Sequence, residues 1–316
     1  MVHIVVALGG NAILHAGERA TFANQMAHVQ ETARALIGLL DDYDALLVTH
    51  GNGPQVGDIL IQNELAKAEV PAMPLDACVA ESEGLIGYML QMALINELRS
   101  SGRLADILCC LTMVEIEDGD LPQSKPIGPY YAWGEMEALR VERGWIFQED
   151  KARGGFRRLV PSPRPAHALG LAPLISMLQA PRERPLIIIA GGGGGIPIEC
   201  DGRRFVGREA VVDKDLTSSL LACATGADTL IMLTDIGAVY IDYGKASQLP
   251  LRKASTEEME RHLAEGQFPP GSMGPKVQAA IEFVRGCGNR AVITDTASLS
   301  DALKGNAGTT VVKERR

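Results

Sequence analysis

Apolar positions along this chain alternate between two patterns. Short unbroken runs rich in β-branched residues recur at residues 4–8, 45–49, 107–113, 186–190, 229–233, 291–293 and 309–312. Runs of this length read as strands buried on both faces. Between them the spacing changes to three and four, as in Phe22, Met26, Val29, Ala33, Leu36 and Leu40. That is one apolar stripe of a helix. Helical stretches are expected at about residues 57–68 and 79–98, the second with Leu85, Met89, Met92 and Ile95 among its apolar positions. A further helix opens at Asp213-Lys214-Asp215 and runs to about residue 224. Ser255 with Glu258 fits a capping box for a helix at about 256–265. The last helix is entered through Gly271-Ser272-Met273-Gly274-Pro275-Lys276 and ends near Cys287-Gly288, with Pro275 expected at its first position. Strands alternating with helices predict an α/β fold built on a mainly parallel sheet.

The alternation stops between about residues 115 and 165. Lys125-Pro126-Ile127-Gly128-Pro129-Tyr130 reads as a rigid turn, and residues 145–149 and 156–160 as two short strands joined through Lys151–Gly155. This is an excursion from the main sheet, a flap or small subdomain. Lys151, Arg153, Arg157, Arg158 and Arg164 give it a run of cations with no acidic residue among them. Such a run is either a solvated face or a lid that brings positive charge to an anionic substrate. Beyond the excursion, Asp201-Gly202 reads as the turn of a small hairpin between Ile198 and Val206.

Composition narrows the possible roles. The 316 residues are 46% hydrophobic but only 4% aromatic, an aliphatic balance suited to a helix-covered parallel sheet. A net charge of -9 argues against nucleic acid as the main partner, since binding phosphate backbones needs a cationic face. No run of about 18 apolar residues predicts a membrane-spanning helix. No basic region precedes the first strand, so no signal peptide is expected and the protein is placed in the cytoplasm. Six cysteines (Cys78, Cys109, Cys110, Cys200, Cys223 and Cys287) include no CxxC pair. They are expected to be reduced thiols rather than a zinc or disulfide framework.

Candidate chemistry gathers at the strand exits. Three strands end in glycine turns: Gly9-Gly10-Asn11, Gly51-Asn52-Gly53 and Gly191 to Gly195. Ligands of parallel α/β sheets bind at the carboxyl edge of the strands. Three glycine exits there suggest an anion cradle of backbone N–H groups rather than three unrelated tight turns. Five glycines in a row cost about 0.5–1 kcal/mol each relative to alanine, more than one tight turn explains. Lys214 and Lys276 each fall at a predicted helix N-terminus, where the helix dipole disfavours a cation by about 0.3–1 kcal/mol. A shared phosphate would offset that cost at both. Asp213 and Asp215 flank Lys214, one as a helix cap and the other as a holder of the lysines. No segment matches GxxxxGK[ST], neither glycine run completes GxGxxG, and no HExxH or nucleophile elbow occurs. His50 is open to either a ligand-touching or a structural role.

Taken together the segments resemble the carbamate kinases of the amino acid kinase family. The matching stretches include Ala7–Ala12, His50-Gly51-Asn52-Gly53-Pro54-Gln55-Val56-Gly57, Ile86-Gly87-Tyr88, Lys125–Pro129, Val160–Pro163, Gly192–Pro197, Glu209–Asp215 and Gly271–Lys276, in order across nearly the whole chain. The resemblance implies a three-layer αβα sandwich with two lobes. Residues 1–185, with a protruding subdomain at about 115–165, would hold the acceptor carbamate; residues 186–316 would hold the nucleotide. It implies phosphoryl transfer between carbamoyl phosphate and ADP, giving ATP and carbamate. It also implies a homodimer, and Mg²⁺ carried mainly on the ATP or ADP phosphates with no metal ligand from the protein. By matching position, Lys214, Lys276, Lys125 and Asp215 would be catalytic. Gly9, Gly10, Asn11, Gly51, Asn52, Gly53, Gly192 and Gly193 would bind the carbamate and phosphoryl group. Asp213, Asp235, Tyr240, Tyr243, Met273 and Gly274 would lie at the nucleotide. The sequence departs from the pattern at Glu83, where related chains usually have Gln, and at Gly237, where an acidic residue is common. The alternatives are a related amino acid kinase acting on another small carboxylate, and a nucleotide-binding sensor of weak activity, which would not need the lysine clamp.

Overall fold

A computed structural model describes residues 3–15, 18–117, 119, 123–150 and 154–313. The chain begins β1 (His3–Leu8), α1 (Phe22–Gly38), β2 (Ala45–His50), α2 (Gly53–Ala66), α3 (Leu75–Ser101) and β3 (Asp106–Cys109). A stretch of smaller elements follows: β4 (Met113–Ile116), β5 (Gln123–Tyr131), α4 (Trp133–Arg143), β6 (Ile146–Glu149), β7 (Phe156–Pro161) and β8 (Pro165–Ala168). Next come α5 (Leu171–Gln179), β9 (Leu186–Ile189), β10 (Ile196–Cys200), β11 (Phe205–Gly207), α6 (Lys214–Thr225) and β12 (Thr229–Leu233). The chain closes with β13 (Val239–Ile241), β14 (Leu249–Leu251), β15 (Lys253–Ser255), α7 (Thr256–Ala264), α8 (Met273–Gly286), β16 (Arg290–Thr294), α9 (Leu299–Leu303) and β17 (Thr309–Val312).

Eight of these strands form one sheet in the order β15-β17-β16-β12-β1-β2-β9-β3. Every pairing is parallel except β16 with β17. Side chains alternate across a strand, so each strand feeds two cores. Ile4, Val6, Leu8, Leu46, Val48, Ile187 and Ile189 pack with α1 and α3 on one face. Val5, Ala7, Ala45, Leu47, Ile188, Leu230 and Met232 pack with α5, α6, α7 and α8 on the other. The result is the expected αβα sandwich. β9 is inserted between β2 and β3, so chain from both sides of residue 186 shares the same part of the sheet.

Several elements differ from the sequence reading. The run 107–113 is not one strand. Cys110 N still donates to Ile189 O, but Thr112 N turns to the Glu83 carboxylate and Thr112 O accepts from Ile196 N. The chain thereby leaves the main sheet, and β4 joins a second sheet ordered β11-β10-β4-β8. Lys125–Tyr130 is not a turn but the body of β5, in a sheet ordered β5-β7-β6. Pro126 and Pro129 are tolerated because β5 is an edge strand with irregular register against β7. α4 went unpredicted because only Met136 of its eleven residues is buried, leaving no stripe to read. α2 starts at Gly53 with Pro54 in its first turn, four residues earlier than expected. α8 starts at Met273, so Pro275 is its third residue rather than its first. Cys223 and Cys287 are not reduced: they form a disulfide with Cα atoms 5.4 Å apart, joining the end of α6 to the end of α8, which pack side by side. Of the cationic run, Lys151 and Arg153 lie outside the described residues.

The protruding sheet is seated on α2 through a contact between two glycines. A Cβ on Gly57 would overlap the backbone of Gly128 in β5. Replacing Gly57 by Ala therefore forces the two elements apart. Overpacking of this kind costs about 1–3 kcal/mol. A lowered denaturant midpoint, together with faster tryptic cleavage within residues 123–161, is the expected outcome for Gly57→Ala; an unchanged midpoint and digestion pattern would show that the contact can relax.

Candidate active site

Because β1, β2 and β9 are mutually parallel, their three glycine exits emerge on one edge of the sheet. A cleft of about 970 Å³ opens there, lined by Gly10, Gly51, Asn52, Gly53 and Gly193 from the turns. Lys214 and Asp215 from the start of α6, Lys276 from α8 and Lys125 from β5 complete its charged floor. Asp213, Tyr243 and Gly274 line it too. Among the residues described in full, five expected ones lie outside the lining. A Cβ on Gly9 would sit 2.5 Å from Leu233 O, so Gly9 serves the packing of its turn on β12. Gly192 lies against His50 and Glu83. The Met273 side chain is in the core. Tyr240 stands one layer back, its ring 5.9 Å from that of Tyr243. Asp235 accepts from Thr234 Oγ1 at 3.1 Å. Asn11 belongs to the 3₁₀ turn Gly10–Ala12, and its side chain lies outside the described residues.

The charged floor is a buried network. Asp213 caps α6, accepting from Asp215 N at 2.9 Å, and its other oxygen accepts from Lys125 Nζ at 2.5 Å. Asp215 accepts from Lys214 Nζ through one oxygen and from Lys276 Nζ, at 3.0 Å, through the other. Lys214, Asp215 and Lys276 are all less than a tenth exposed. Burial opposes ionisation of Asp215, but the two lysines outweigh it and hold the carboxyl below its usual range. Asp213 is likewise held low, with Lys125 overcoming the cost of burial. Lys276 is raised, Asp215 outweighing burial. Lys214 moves the other way, to about 8, through burial and the neighbouring Lys276 charge. The Lys214 stem crosses Gly51, where a Cβ would lie 3.4 Å from Lys214 Cδ.

The third glycine run is held by packing. A Cβ on Gly193 would overlap Asn52, one on Gly194 would overlap the backbone of Val212, and one on Gly195 would overlap Val114. Gly191, Gly193, Gly194 and Gly195 also have positive φ. The length of the run thus follows from neighbours on every side, and only Gly193 reaches the cleft. This corrects the inference that so many glycines exceed what structure alone requires. His50 is fully buried, with Nδ1 3.1 Å from Gly51 O, and burial lowers its pKa to about 4. That shift leaves the ring uncharged near neutral pH, and it does not line the cleft.

Sequence reasoning did not single out Arg157, which lines the cleft beside Gly53, 3.7 Å from where a Cβ would stand, and donates to Gly128 O. Its only signal was membership of the cationic run in the excursion, whose lid reading it matches. Arg158 instead stacks over Trp145, and Arg164 pairs with Glu282. Lys245 and Asp242 line the cleft's other end, paired at 2.8 Å. Gly237 leaves room for Asp295, whose Oδ2 is 3.0 Å from where a Cβ would stand.

These features coincide with a known family. Residues 3–295 match the amino acid kinase family. The chain belongs to the amino acid kinase family. It is 41% identical over 320 residues to a carbamate kinase of Thermococcus kodakarensis, covering 99% of this chain and all of the relative. It is 40% identical to one of Trichomonas vaginalis, covering 98% and 99%. Among solved structures, a carbamate kinase from Giardia lamblia bound to AMP-PNP superposes with a TM-score of 0.87 at 36% identity, covering 99% of both chains. Fold, cleft and relatives agree on a phosphotransferase of the carbamate kinase group.

Glu83, which the resemblance marks as unusual, does not reach the cleft. It is 1% exposed, and its two oxygens accept from Gly192 N at 2.9 Å and Thr112 N at 3.3 Å. Burial outweighs these donors and raises its pKa to about 8. The unfolded chain releases this proton near the ordinary Glu value, so between there and about pH 8 the folded state holds a proton the unfolded state has lost. Stability falls as pH rises through that interval. Glu83→Gln removes the effect. Its denaturant midpoint relative to the parent should move in its favour between about pH 5 and about pH 8.5, whereas a constant difference would mean that Glu83 does not change protonation there.

Proposed function

We propose that this protein transfers a phosphoryl group between carbamoyl phosphate and ADP, giving ATP and carbamate, in the cleft floored by Lys214, Asp215 and Lys276. The observation that carries the reading is the pair of buried lysines on one carboxylate, in a cleft lined by glycine turns. Phosphoryl transfer spreads charge over three equatorial oxygens in a loose transition state. Lys214 and Lys276 neutralise that charge, and Asp215 fixes both ammonium groups before the phosphate arrives. Lys125 adds a third cation from the protruding sheet. Backbone N–H groups of the turns at Gly10, Asn52–Gly53 and Gly193 complete the cradle, while the Gly51 N–H is spent on Leu8 O. Carbamate and ADP are already anionic nucleophiles, so the transfer needs no general base, which accords with a neutral, buried His50.

The carbamate sits on the side of the turns from residues 1–185, with the protruding subdomain over it. The nucleotide sits on the side of residues 186–316, near Tyr243, Gly274 and Asp213, with Asp235, Tyr240 and Met273 behind them. Asp213 and Asp215 spend their oxygens on lysines and a backbone N–H. This fits a Mg²⁺ ion that keeps its phosphate and water ligands and takes little from the protein; when bound, it neutralises phosphate charge. A homodimer is supported by Leu85, Tyr88 and Ile95, exposed along one face of α3 with Phe22 of α1 stacked on Tyr88 at 6.4 Å. Nucleotide substrates fit a cytoplasmic location.

ATP formation from ADP and carbamoyl phosphate, with acetyl phosphate and N-acetylglutamyl phosphate as competitors, tests the reading. Turnover with carbamoyl phosphate should dominate; preference for another acyl phosphate, or nucleotide binding without turnover, would overturn it. Lys214→Ala should lower kcat by about 10²–10³, and a near-parental rate would remove Lys214 from the mechanism. Since Lys214 must be protonated, kcat/KM in the parent should decline as pH rises through about 8. Gly10→Ala meets no atom within 4 Å in the protein alone. It should fold normally and lose turnover, with parental activity arguing against close approach of substrate at Gly10.

A further inference from the structure

A second cluster of donor atoms lies between the first glycine turn and α1. His15 and Glu18 follow the turn, and His28 stands on α1. The Glu18 carboxylate is 2.6 Å from His28 Nε2, and the His15 ring stacks on the His28 ring with centroids 3.7 Å apart. One donor atom from each residue lies within 4.8 Å of those of the other two. None of the three lines the cleft.

An ordinary ion pair accounts for Glu18 and His28 but gives His15 no task. Two further facts extend the pattern. His28 Nδ1 is buried without a hydrogen bond among the described residues, and Glu31, one helical turn on, holds a carboxylate oxygen 4.0 Å from it. A metal-bound histidine commonly points its second ring nitrogen at such a carboxylate, which fixes the ring and raises its basicity. A tetrahedral ion with donors about 2.0–2.2 Å away needs those donors a little over 3 Å apart, a spacing this cluster reaches by small side-chain movements. Two imidazoles and a carboxylate suit Zn²⁺ and its neighbours, whereas Mg²⁺ favours an all-oxygen shell. His15 and Glu18 are exposed, so the ion has an entry path.

We propose that His15, Glu18 and His28 bind one divalent transition-metal ion of the Zn²⁺ class, with Glu31 backing His28. The site is separate from any Mg²⁺ carried on the nucleotide. The surrounding framework is already fixed. Thr32 Oγ1 on α1 donates to Ala12 O at 2.9 Å, and Gln25 links Ala20 O to Gln55 of α2. Metal binding links His15 and Glu18, which follow the Gly10 turn, to His28 on α1. The ion thereby braces one wall of the cleft from outside.

The test uses chelator-stripped full-length protein titrated with Zn²⁺ by calorimetry and with Co²⁺ by visible absorption. One equivalent should bind, Co²⁺ should give the intense bands of a four- or five-coordinate site, and Zn²⁺ should raise Tm. His15→Ala, at an exposed position where folding is not at stake, should weaken binding at least about tenfold, and His28→Ala and Glu31→Gln should weaken it by about 10–100-fold and about tenfold respectively. Cys200→Ser removes the exposed thiol that could compete and should leave binding intact. Absence of stoichiometric binding, affinity unchanged in His15→Ala, or loss of binding in Cys200→Ser would each overturn the proposal.

Discussion

The cleft depends on one carboxylate. Asp215 holds Lys214 with one oxygen and Lys276 with the other, and so ties together the opening turns of α6 and α8. Neither lysine is placed where helix electrostatics favour it: Lys214 is the first residue of its helix and Lys276 the fourth. Buried ion groups of this kind add little stability compared with apolar packing, and losing one member leaves an uncompensated charge costing about 3–5 kcal/mol. A core designed for stability alone would not contain it. The arrangement makes sense as a pre-formed receptor for an anion, in which desolvation of the cations is met during folding rather than during the reaction.

The rest of the fold brings material to this point. A parallel sheet places the ends of β1, β2 and β9 on one edge, and its two buried faces keep those strands fixed. The third turn is wedged among Asn52, Val212 and Val114, while Thr217 Oγ1 donates to Gly194 O and Thr49 bonds Ser218. These contacts lock α6 to the turns, so the lysines and the glycine exits share one rigid frame. At the other end of the same helices the Cys223–Cys287 bond closes the α6–α8 pair. The pair is thus joined covalently at one end and by Asp215 at the other.

The centre of the sheet was legible because β1, β2, β9 and β12 are largely buried on both faces and nearly all apolar, whereas the edge strand β15 is too short and polar to read. The lysines were legible because a cation at a helix start is locally costly and so carries information. Other features had no local signature. α4 buries a single side chain, so the 3.6-residue rhythm is absent. β5 carries two prolines, which read as a turn until its place at a sheet edge is known. The Cys223–Cys287 bond spans 64 residues and depends on how two helices pack, which residue spacing cannot reveal. The resemblance could mark Glu83 as unusual, but that its carboxyl group is buried behind the cleft against backbone N–H groups and holds its proton up to about pH 8, adding no charge near the acceptor below that, follows only from the fold.

The string from His50 to Gly57 shows how one stretch can serve several of these ends. His50 is a neutral core residue beneath the third glycine turn. Gly51 lies alongside the Lys214 stem, and Asn52 reaches Ser82 of α3 at 2.8 Å. Gly53 faces Arg157 from the protruding sheet. Gly53 and Pro54 open α2, and Gly57, one turn later, admits the backbone of β5. Because Gly128 rests on Gly57, Lys125 three residues earlier is carried over the cleft to Asp213. A string with the look of a single binding loop is therefore also the hinge on which the subdomain is mounted. Its last glycine sets the position of a cation it never touches.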